Sequence, residues 1–431
     1  MKGRVSLTTL GCKTNQFESA AMEEYLRQTG YQVVPFEDGA DLVIVNTCTV
    51  TSATDAQSRN LVRRARRLNP RCRVVVTGCY AQVDPEALLA IPGVSLVLGN
   101  EEKKDFLQWI EKSHAGQAVQ VSPIREKTEA SVLSTTVFAE RSRAFVQIQN
   151  GCDAFCSYCI IPYARGRSRS VVPDEVVTQV AGLVEAGYPE IVLTGIHIGG
   201  YGNDLVPRQT LTDLVRRLES STFVHRLRLG SLEPTEISDE LIELMAGSSV
   251  ICPHFHIPLQ AGDDQVLQRM NRHYDAAFFR ELVQRIHKRL PQAAIGLDVI
   301  AGFPGETEEE FANTLALVES LPVSHLHVFP YSRRPGTPAA SMAAQVPSAM
   351  AKERAARLRA LGEEKTRAFA RRFVGQTMEI VVEGGGQNGW RKGLTTNYLH
   401  VQFRQGDDLP GKALLVRLTG FEDEGLVGEL V

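Results

Sequence analysis

Residues 151–159 read GCDAFCSYC and place Cys152, Cys156 and Cys159 in a Cys-x3-Cys-x2-Cys arrangement. Thiols this dense serve a zinc knuckle, a disulfide knot, a redox pair or an iron–sulfur site. A structural zinc site takes four protein ligands, and no fourth lies nearby. The N-terminus, MKGRVSLTTLGC, lacks the apolar stretch of a secretory leader, and no apolar run is long enough to span a bilayer. A reducing cytoplasm is therefore the expected compartment, and disulfides are disfavoured there. Three thiolates suit a four-iron cluster with one iron left open to a substrate, whereas clusters that only carry electrons take four. Three further cysteines share another regularity. Cys12 ends RVSLTTLGC, Cys48 ends DLVIVNTC and Cys79 ends RVVVTGC, each closing an apolar, β-rich run. In an open α/β sheet such positions line one crevice at the carboxyl ends of the strands. These three thiols, far apart in sequence, are expected to converge on a second four-iron cluster with its own open iron. Cys72 (NPRCRVVV) and Cys252 (VICPHFH) have no partner at metal-site spacing and read as packing residues.

The elements that must position these thiols follow from periodicity. In the first hundred residues short, nearly continuous apolar runs alternate with helical patterns at 17–30, 52–68 and 84–91, as in a doubly wound parallel sheet. Residues 113–140 are polar and aperiodic and read as a connector. From residue 144 six strand candidates, FVQIQ, EIVLTGI, RLRLGSLEP, HFHIPLQ, AIGLDVIAGF and HLHVFPYS, are spaced by helical patterns. Six βα units predict a partial barrel that works at the carboxyl ends of its strands. Residues 347–373 form a long charged helix, and the rest reads as four short strands, MEIVVEGGG, LHVQFR, ALLVRLTG and LVGELV, broken by glycine. The expected organisation is thus α/β throughout most of the chain. It comprises an N-terminal parallel-sheet domain (1–115), a linker (116–140), a partial (β/α)6 barrel (141–346), a connecting helix (347–374) and a small all-β module (375–431).

The Cys-x3-Cys-x2-Cys spacing, with aromatic Tyr158 before its last cysteine, resembles the hallmark of the radical S-adenosylmethionine (SAM) superfamily. The stretches LGCKTNQFES, VNTCTV, GCDAFCSYCIIPYARGRSRS, LTGIHIGGYG, HFHIPLQAGDDQVLQRMNR, DVIAGFPGETEEEF and PYSRRPGTPAA together resemble the methylthiotransferase family, over nearly the whole chain. The terminal β module resembles the TRAM domain, an RNA-binding fold. This resemblance implies SAM and two [4Fe-4S] clusters as cofactors, one on Cys12, Cys48 and Cys79 and one on Cys152, Cys156 and Cys159. It implies that the second cluster's open iron binds SAM, whose cleavage yields a radical that takes hydrogen from an unactivated carbon. The first cluster holds the sulfur to be inserted, and a second SAM supplies the methyl group. The stretches CSYCIIPYARGRSRS and TGIHIGGYG are most similar to the group acting on N6-threonylcarbamoyladenosine at tRNA position 37, so the anticodon stem-loop is the implied partner. Alternatives are isopentenyladenosine in tRNA, an aspartate of a ribosomal protein and, from a different class, a non-catalytic iron–sulfur carrier. These motifs name neither an electron donor nor a sulfur source.

By position at barrel strand ends, the resemblance implies SAM contacts from Tyr158, Thr194, Gly195, Gln260, Ile300, Gly302 and Phe329, with Ser231 and Glu233 touching SAM or the target base. His254 and His256, like His325 and His327, alternate along a strand. With no carboxylate or cysteine at matching spacing, they are expected to be hydrogen-bonded residues of the barrel interior. Thr307 reads as a helix cap with Glu310 three residues on. A net charge of −3 gives no global pull on nucleic acid. The expected RNA surface is local: Arg59, Arg63 and Arg66 on one helical face with Arg64, Arg67, Arg71 and Arg73 beside it, then Arg165, Arg167 and Arg169, then Arg333 and Arg334. In the terminal module Trp390, Arg391, Lys392, Tyr398 and Arg404 interleave aromatic and basic groups.

Overall fold

The computed structural model describes residues 2–113, 116–130, 133–138, 142–387, 389–404, 410–422 and 425–431. Six strands build the N-terminal sheet: β1 (Arg4–Thr9), β2 (Gln32–Val33), β3 (Leu42–Thr47), β4 (Arg73–Gly78), β5 (Val94–Leu98) and β6 (Ala118–Gln120). They are parallel, in the order β2-β1-β3-β4-β5-β6. Residues of β3 are buried along its whole length, because helices cover both faces of a parallel sheet. Val43, Val45, Val74 and Val76 pack on one face; Ile44, Val75, Leu96 and Leu98 pack on the other.

Two expectations change here. The first helix, Lys13–Gln28, starts directly after Cys12 rather than at residue 17. The segment read only as a connector contributes the edge strand β6, pairing Ala118 with Leu96 and Val119 with Val97. Three residues are too few to show a period-two pattern. The parts of that connector at 114–115, 131–132 and 139–140 lie outside the described residues.

The second body begins with β7 (Ala144–Gln147). It leads into a short antiparallel pair, β8 (Gln149–Asn150) with β9 (Arg169–Ser170), which brackets the cysteine loop. Then come β10 (Glu190–Thr194), β11 (Arg226–Leu229), β12 (His254–Gln260), β13 (Ala294–Ala301) and β14 (His325–Pro330). Two parallel three-stranded sheets, β7-β10-β11 and β12-β13-β14, are joined through bridges at Leu227–Ile251 and Ser231–His256. The result is an open six-stranded barrel with helices outside. Thr307 and Glu310 form the expected capping box at the start of helix Glu308–Ser320. Helix Ser348–Arg371 packs across β14.

The C-terminal module is a closed five-stranded barrel of β15 (Thr377–Gln387), β16 (Trp390–Thr395), β17 (His400–Arg404), β18 (Ala413–Glu422) and β19 (Gly425–Leu430), in the order β15-β16-β17-β19-β18. β16 (WRKGLT) was not among the expected strands. Of its polar residues Lys392 is exposed while Thr395 is buried, and at Gly393 a Cβ would meet Ile380 at 2.5 Å. The module closes the amino-terminal end of the larger barrel. Arg226 donates to the carbonyls of Glu379 (2.7 Å) and Leu394 (3.1 Å), and Arg228 to those of Thr395 (3.1 Å) and Thr396 (2.9 Å). No helix among the described residues is long and apolar enough to cross a membrane.

Candidate active site

Strands β1, β3 and β4 lie side by side, and Cys12, Cys48 and Cys79 follow their carboxyl ends. Thr9 registers with Asn46 and Thr47 with Gly78, which brings the three thiols to one sheet edge. Two glycines permit this. At Gly11 (φ 100°) a Cβ would meet Cys48 Sγ at 2.8 Å, and at Gly78 (φ 100°) a Cβ would meet the Thr47 carbonyl oxygen at 2.3 Å. Gly11→Ala is therefore expected to displace Cys48 and halve the bound iron to about four atoms per chain, with the far-ultraviolet circular dichroism unchanged. Full iron loading in that variant would show that the close approach does not matter.

Burial, reinforced by Cys79 and Cys12, pushes the Cys48 thiol up to about 12. Three thiols so placed ionise together only with a cation among them, and a pure thiolate set selects zinc or iron–sulfur. The surroundings favour an anionic cluster. Arg165 is fully buried and its Nε donates to Cys79 Sγ at 3.2 Å. Its guanidinium pairs with Glu18 and Asn15, and Lys103 reaches the same Glu18 carboxylate at 2.5 Å. Two buried cations share one carboxylate, so positive charge is left over beside the thiols.

The other trio occupies the loop between β8 and β9. Cys152 N–H donates to the Gly166 carbonyl (3.0 Å) and Cys159 N–H to that of Cys156 (2.9 Å). A Cβ at Gly151 (φ 75°) would collide with the Arg167 carbonyl. Burial, with Cys156 and Cys152 adding to it, pushes Cys159 up to about 12. Arg272 Nη1 donates to Cys156 Sγ at 3.2 Å while its other nitrogen pairs with Glu233, and His197 Nδ1 lies 3.7 Å from Cys152 Sγ. This trio, too, is set among cationic groups suited to an anionic cluster.

A cavity of about 230 Å³ joins the two bodies. Val50 and Thr51, just beyond Cys48, form one wall; Tyr158, Cys159, Gln260, Ile300 and Phe329 are on the barrel side. Ser52 N–H donates to Ser332 Oγ (3.0 Å) and Arg334 pairs with Asp55 (2.7 Å), which holds the walls together. Five of the sequence-derived site residues thus share one pocket. Gln260 adopts φ 65° there, a backbone region that non-glycine residues enter mainly where structure around a site imposes it. Glu233 and Cys156 border a neighbouring cleft of about 390 Å³, together with His197 and Arg272. Thr194, Gly195 and Ser231 line neither cavity. Gly195 abuts Gln149, whose Oε1 accepts from the N–H groups of Ile196 and His197. Gly302 packs instead against Ala351 of the long helix.

Several expected RNA-facing residues are buried instead. Arg165 and Arg169 lie inside, the latter donating to the Arg165 carbonyl at 2.7 Å; only Arg167 of that group is exposed. Arg334 is buried on Asp55 and Thr49, while Arg333 stays exposed. Arg59 donates to Tyr80 Oη (2.9 Å), Arg66 to the Cys72 carbonyl (3.3 Å) and Arg73 to that of Ile110 (3.1 Å). Helical spacing shows which residues share a face, not whether that face is packed. Arg64 pairs with Glu37, so Arg63 and Arg67 on helix Ser52–Leu68 and Arg71 in the turn after it are exposed cations without an acidic partner among the described residues. In the module Arg404 stacks over Trp390 at 4.7 Å beside exposed Lys392. Tyr398, however, turns inward and stacks on His254 at 4.3 Å.

The histidine expectation also needs correction. A carboxylate does reach them: Asp298, on the intervening strand β13, lies 2.8 Å from His256 Nε2 and 3.3 Å from His327 Nδ1. His325 Nδ1 meets Ser324 Oγ at 2.8 Å, but neither ring nitrogen of His254 has a partner. Sequence reasoning also missed Glu18, Lys103, His197 and Arg272, whose partners lie on other elements.

Two family profiles match the chain: an uncharacterized protein family, UPF0004, over residues 4–99, and the Radical SAM superfamily over residues 146–318. The threonylcarbamoyladenosine tRNA methylthiotransferase MtaB of Bacillus subtilis is 42% identical over 96% of this chain and 93% of its own length. Its namesake in Aquifex aeolicus is 38% identical over 96% and 99%. A tRNA-2-methylthio-N(6)-dimethylallyladenosine synthase of Clostridium botulinum is 32% identical over 99% and 97%. Among solved structures, the radical SAM methyltransferase TsrM of Kitasatospora setae superposes with a TM-score of 0.57 at 16% identity, covering 78% of this chain and 75% of TsrM, a likeness of fold alone. SAM and [4Fe-4S] clusters are the cofactors that this kinship carries, and tRNA is the substrate. Its sequence kinship runs almost end to end, and the chain belongs to the radical SAM tRNA methylthiotransferases.

Proposed function

We propose that this enzyme replaces the C2–H of N6-threonylcarbamoyladenosine, at position 37 of the tRNA anticodon stem-loop, with C2–S–CH3. In this reading Cys12, Cys48 and Cys79 hold one [4Fe-4S] cluster and Cys152, Cys156 and Cys159 the other. The observation that carries it is the cavity lined on one side by Cys159 of the second trio and on the other by Val50 and Thr51, the second and third residues after Cys48 of the first. The substrate choice is supported by relatives named for threonylcarbamoyladenosine at 34–42% identity. When bound, the clusters and SAM supply the radical, the sulfur and the methyl group.

The chain's own residues bind, orient and exclude water. Tyr158, Ile300 and Phe329 offer apolar faces to a purine, and Gln260 offers an amide to its polar edge. Arg272 and His197 fix the cysteine loop from one side, and Arg165 fixes Cys79 from the other. The base must be splayed from its loop to enter. Arg63, Arg67, Arg71, Arg167, Lys392 and Arg404 are exposed and available to phosphates. Nucleoside mass spectrometry of tRNA from a strain lacking the gene tests the assignment. Loss of the 2-methylthio threonylcarbamoyl nucleoside is expected; its persistence, with loss of the isopentenyl counterpart, would overturn it.

A further inference from the structure

We propose that His256, Asp298 and His327 form a site for one divalent first-row transition-metal ion, separate from both cysteine trios. It lies in the wall between the shared cavity and a cleft beside the terminal module. The site is independent of which nucleoside the enzyme modifies.

The three residues come from three adjacent strands, β12, β13 and β14. Asp298 registers with His327 on one side and with Pro258 on the other, two residues beyond His256. Their chain neighbours Phe255, Ile257, Leu297, Val299 and Val328 share one core cluster with Leu282 and Leu317 of the outer helices. Alternation along each strand therefore turns His256, Asp298 and His327 to the barrel interior. Paired strands hold such donors more precisely than a loop does.

The donor atoms converge. Asp298 Oδ1 lies 2.8 Å from His256 Nε2 and 3.3 Å from His327 Nδ1. One donor atom from each residue lies within 4.8 Å of the other two, and no cysteine belongs to the group. Both rings make their closest approach to the same carboxylate oxygen, although a carboxylate offers two. Convergence on one oxygen sets three donors around a single point. Donors bound about 2.0–2.2 Å from one ion lie about 3.0–3.4 Å from each other at octahedral or tetrahedral angles. The two measured separations bracket most of that range. Two imidazoles and one carboxylate suit zinc, iron(II), cobalt or nickel, whereas calcium and magnesium take oxygen donors.

The group is open on two sides. Asp298 lines the shared cavity of about 230 Å³. His327 lines a separate cleft of about 1030 Å³, bounded by β14, helix Ser348–Arg371 and the terminal barrel. The His327 side chain is 46% exposed, which gives an ion a route in from solvent through the cleft. Three protein ligands leave coordination positions open. Water, or an oxygen atom of whatever occupies the cavity, completes the shell.

The test uses the anaerobically reconstituted full chain, with both trios filled, dialysed against cobalt(II). Cobalt is counted separately from iron by elemental mass spectrometry. The wild type is expected to retain about one cobalt per chain. Asp298→Asn and His327→Ala should each weaken cobalt binding by about 100-fold or more, at least what losing a supporting contact costs, with iron content unchanged. His327 is half exposed, so its truncation leaves the core intact, and His327→Cys, which restores a donor, should recover cobalt binding. Cobalt-edge X-ray absorption of the wild type should show nitrogen and oxygen neighbours only. Sulfur neighbours would place the ion on a thiol such as Cys72 or Cys252 and overturn the proposal. So would a wild type that retains no cobalt, or equal retention by the wild type and His327→Ala.

Discussion

Cys12→Ala is expected to abolish methylthio transfer while 5′-deoxyadenosine is still formed from SAM. Cys12 is exposed at the helix boundary, whereas Cys48 and Cys79 are buried beside it. Removing its thiol leaves no cavity in the core, so the fold should persist and the effect should fall on the metal site. Iron content should drop from about eight to about four atoms per chain. In the proposed reading the remaining atoms belong to the trio in the β8–β9 loop, whose supports, Arg272 and His197, bond to Cys156 and Cys152 and, among the described residues, to no thiol of the first trio. Cys156→Ala should lose deoxyadenosine formation and methylthio transfer together. If Cys12→Ala also lost deoxyadenosine formation while folded, the separation of roles between the two trios would be wrong.

The largest stability effect is expected at Arg165. It ties three parts of the molecule: the cysteine loop that carries it, helix Lys13–Gln28 through Glu18 and Asn15, and Cys79. Arg165→Met strands part of the buried Glu18 charge, and breaking a buried pair from one side costs about 3–5 kcal/mol. The urea midpoint should fall accordingly, and iron should be lost from the first trio. A small change in both would mean that Lys103 alone suffices. The same cluster sets a pH dependence. Burial opposes ionisation of Glu18, but Arg165 and Lys103 outweigh it and hold its carboxyl down at about 2, below the ordinary 4.5. A depressed carboxyl stabilises the fold fully above its unfolded value and loses that contribution as pH falls through its folded value. Between pH 4.5 and 2 the wild type should therefore lose stability more steeply than Glu18→Gln, which lacks the contribution at every pH. Urea unfolding across that window measures the difference.

Much of this arrangement is legible in the residues alone. Strand-end thiols in a parallel sheet have one place to go, and Cys12, Cys48 and Cys79 went there. The same positional reasoning brought Tyr158, Gln260, Ile300 and Phe329 into one pocket. What failed shares a physical cause. Arg165 looked like an RNA contact because its partner, Glu18, lies 147 residues away, and no local pattern reports a charge pair across two bodies. Tyr398 looked like a stacking platform for RNA, but it stacks on His254 across the interface between module and barrel. Asp298 escaped notice beside the histidines because it comes from the neighbouring strand in register: His327 aligns with it directly, and His256 two residues off. Periodicity orders one element at a time, whereas register between elements emerges only on folding.

The central claim is that this two-trio site methylthiolates threonylcarbamoyladenosine. The most direct measurement incubates the anaerobically reconstituted chain with reductant, a sulfide source and SAM, and offers it two anticodon stem-loops that differ only at position 37. Mass spectrometry of the digested RNA should show the methylthio group on the threonylcarbamoyl nucleoside and none on the isopentenyl one. Modification of the isopentenyl nucleoside alone, or deoxyadenosine formation with neither RNA modified, would contradict the account.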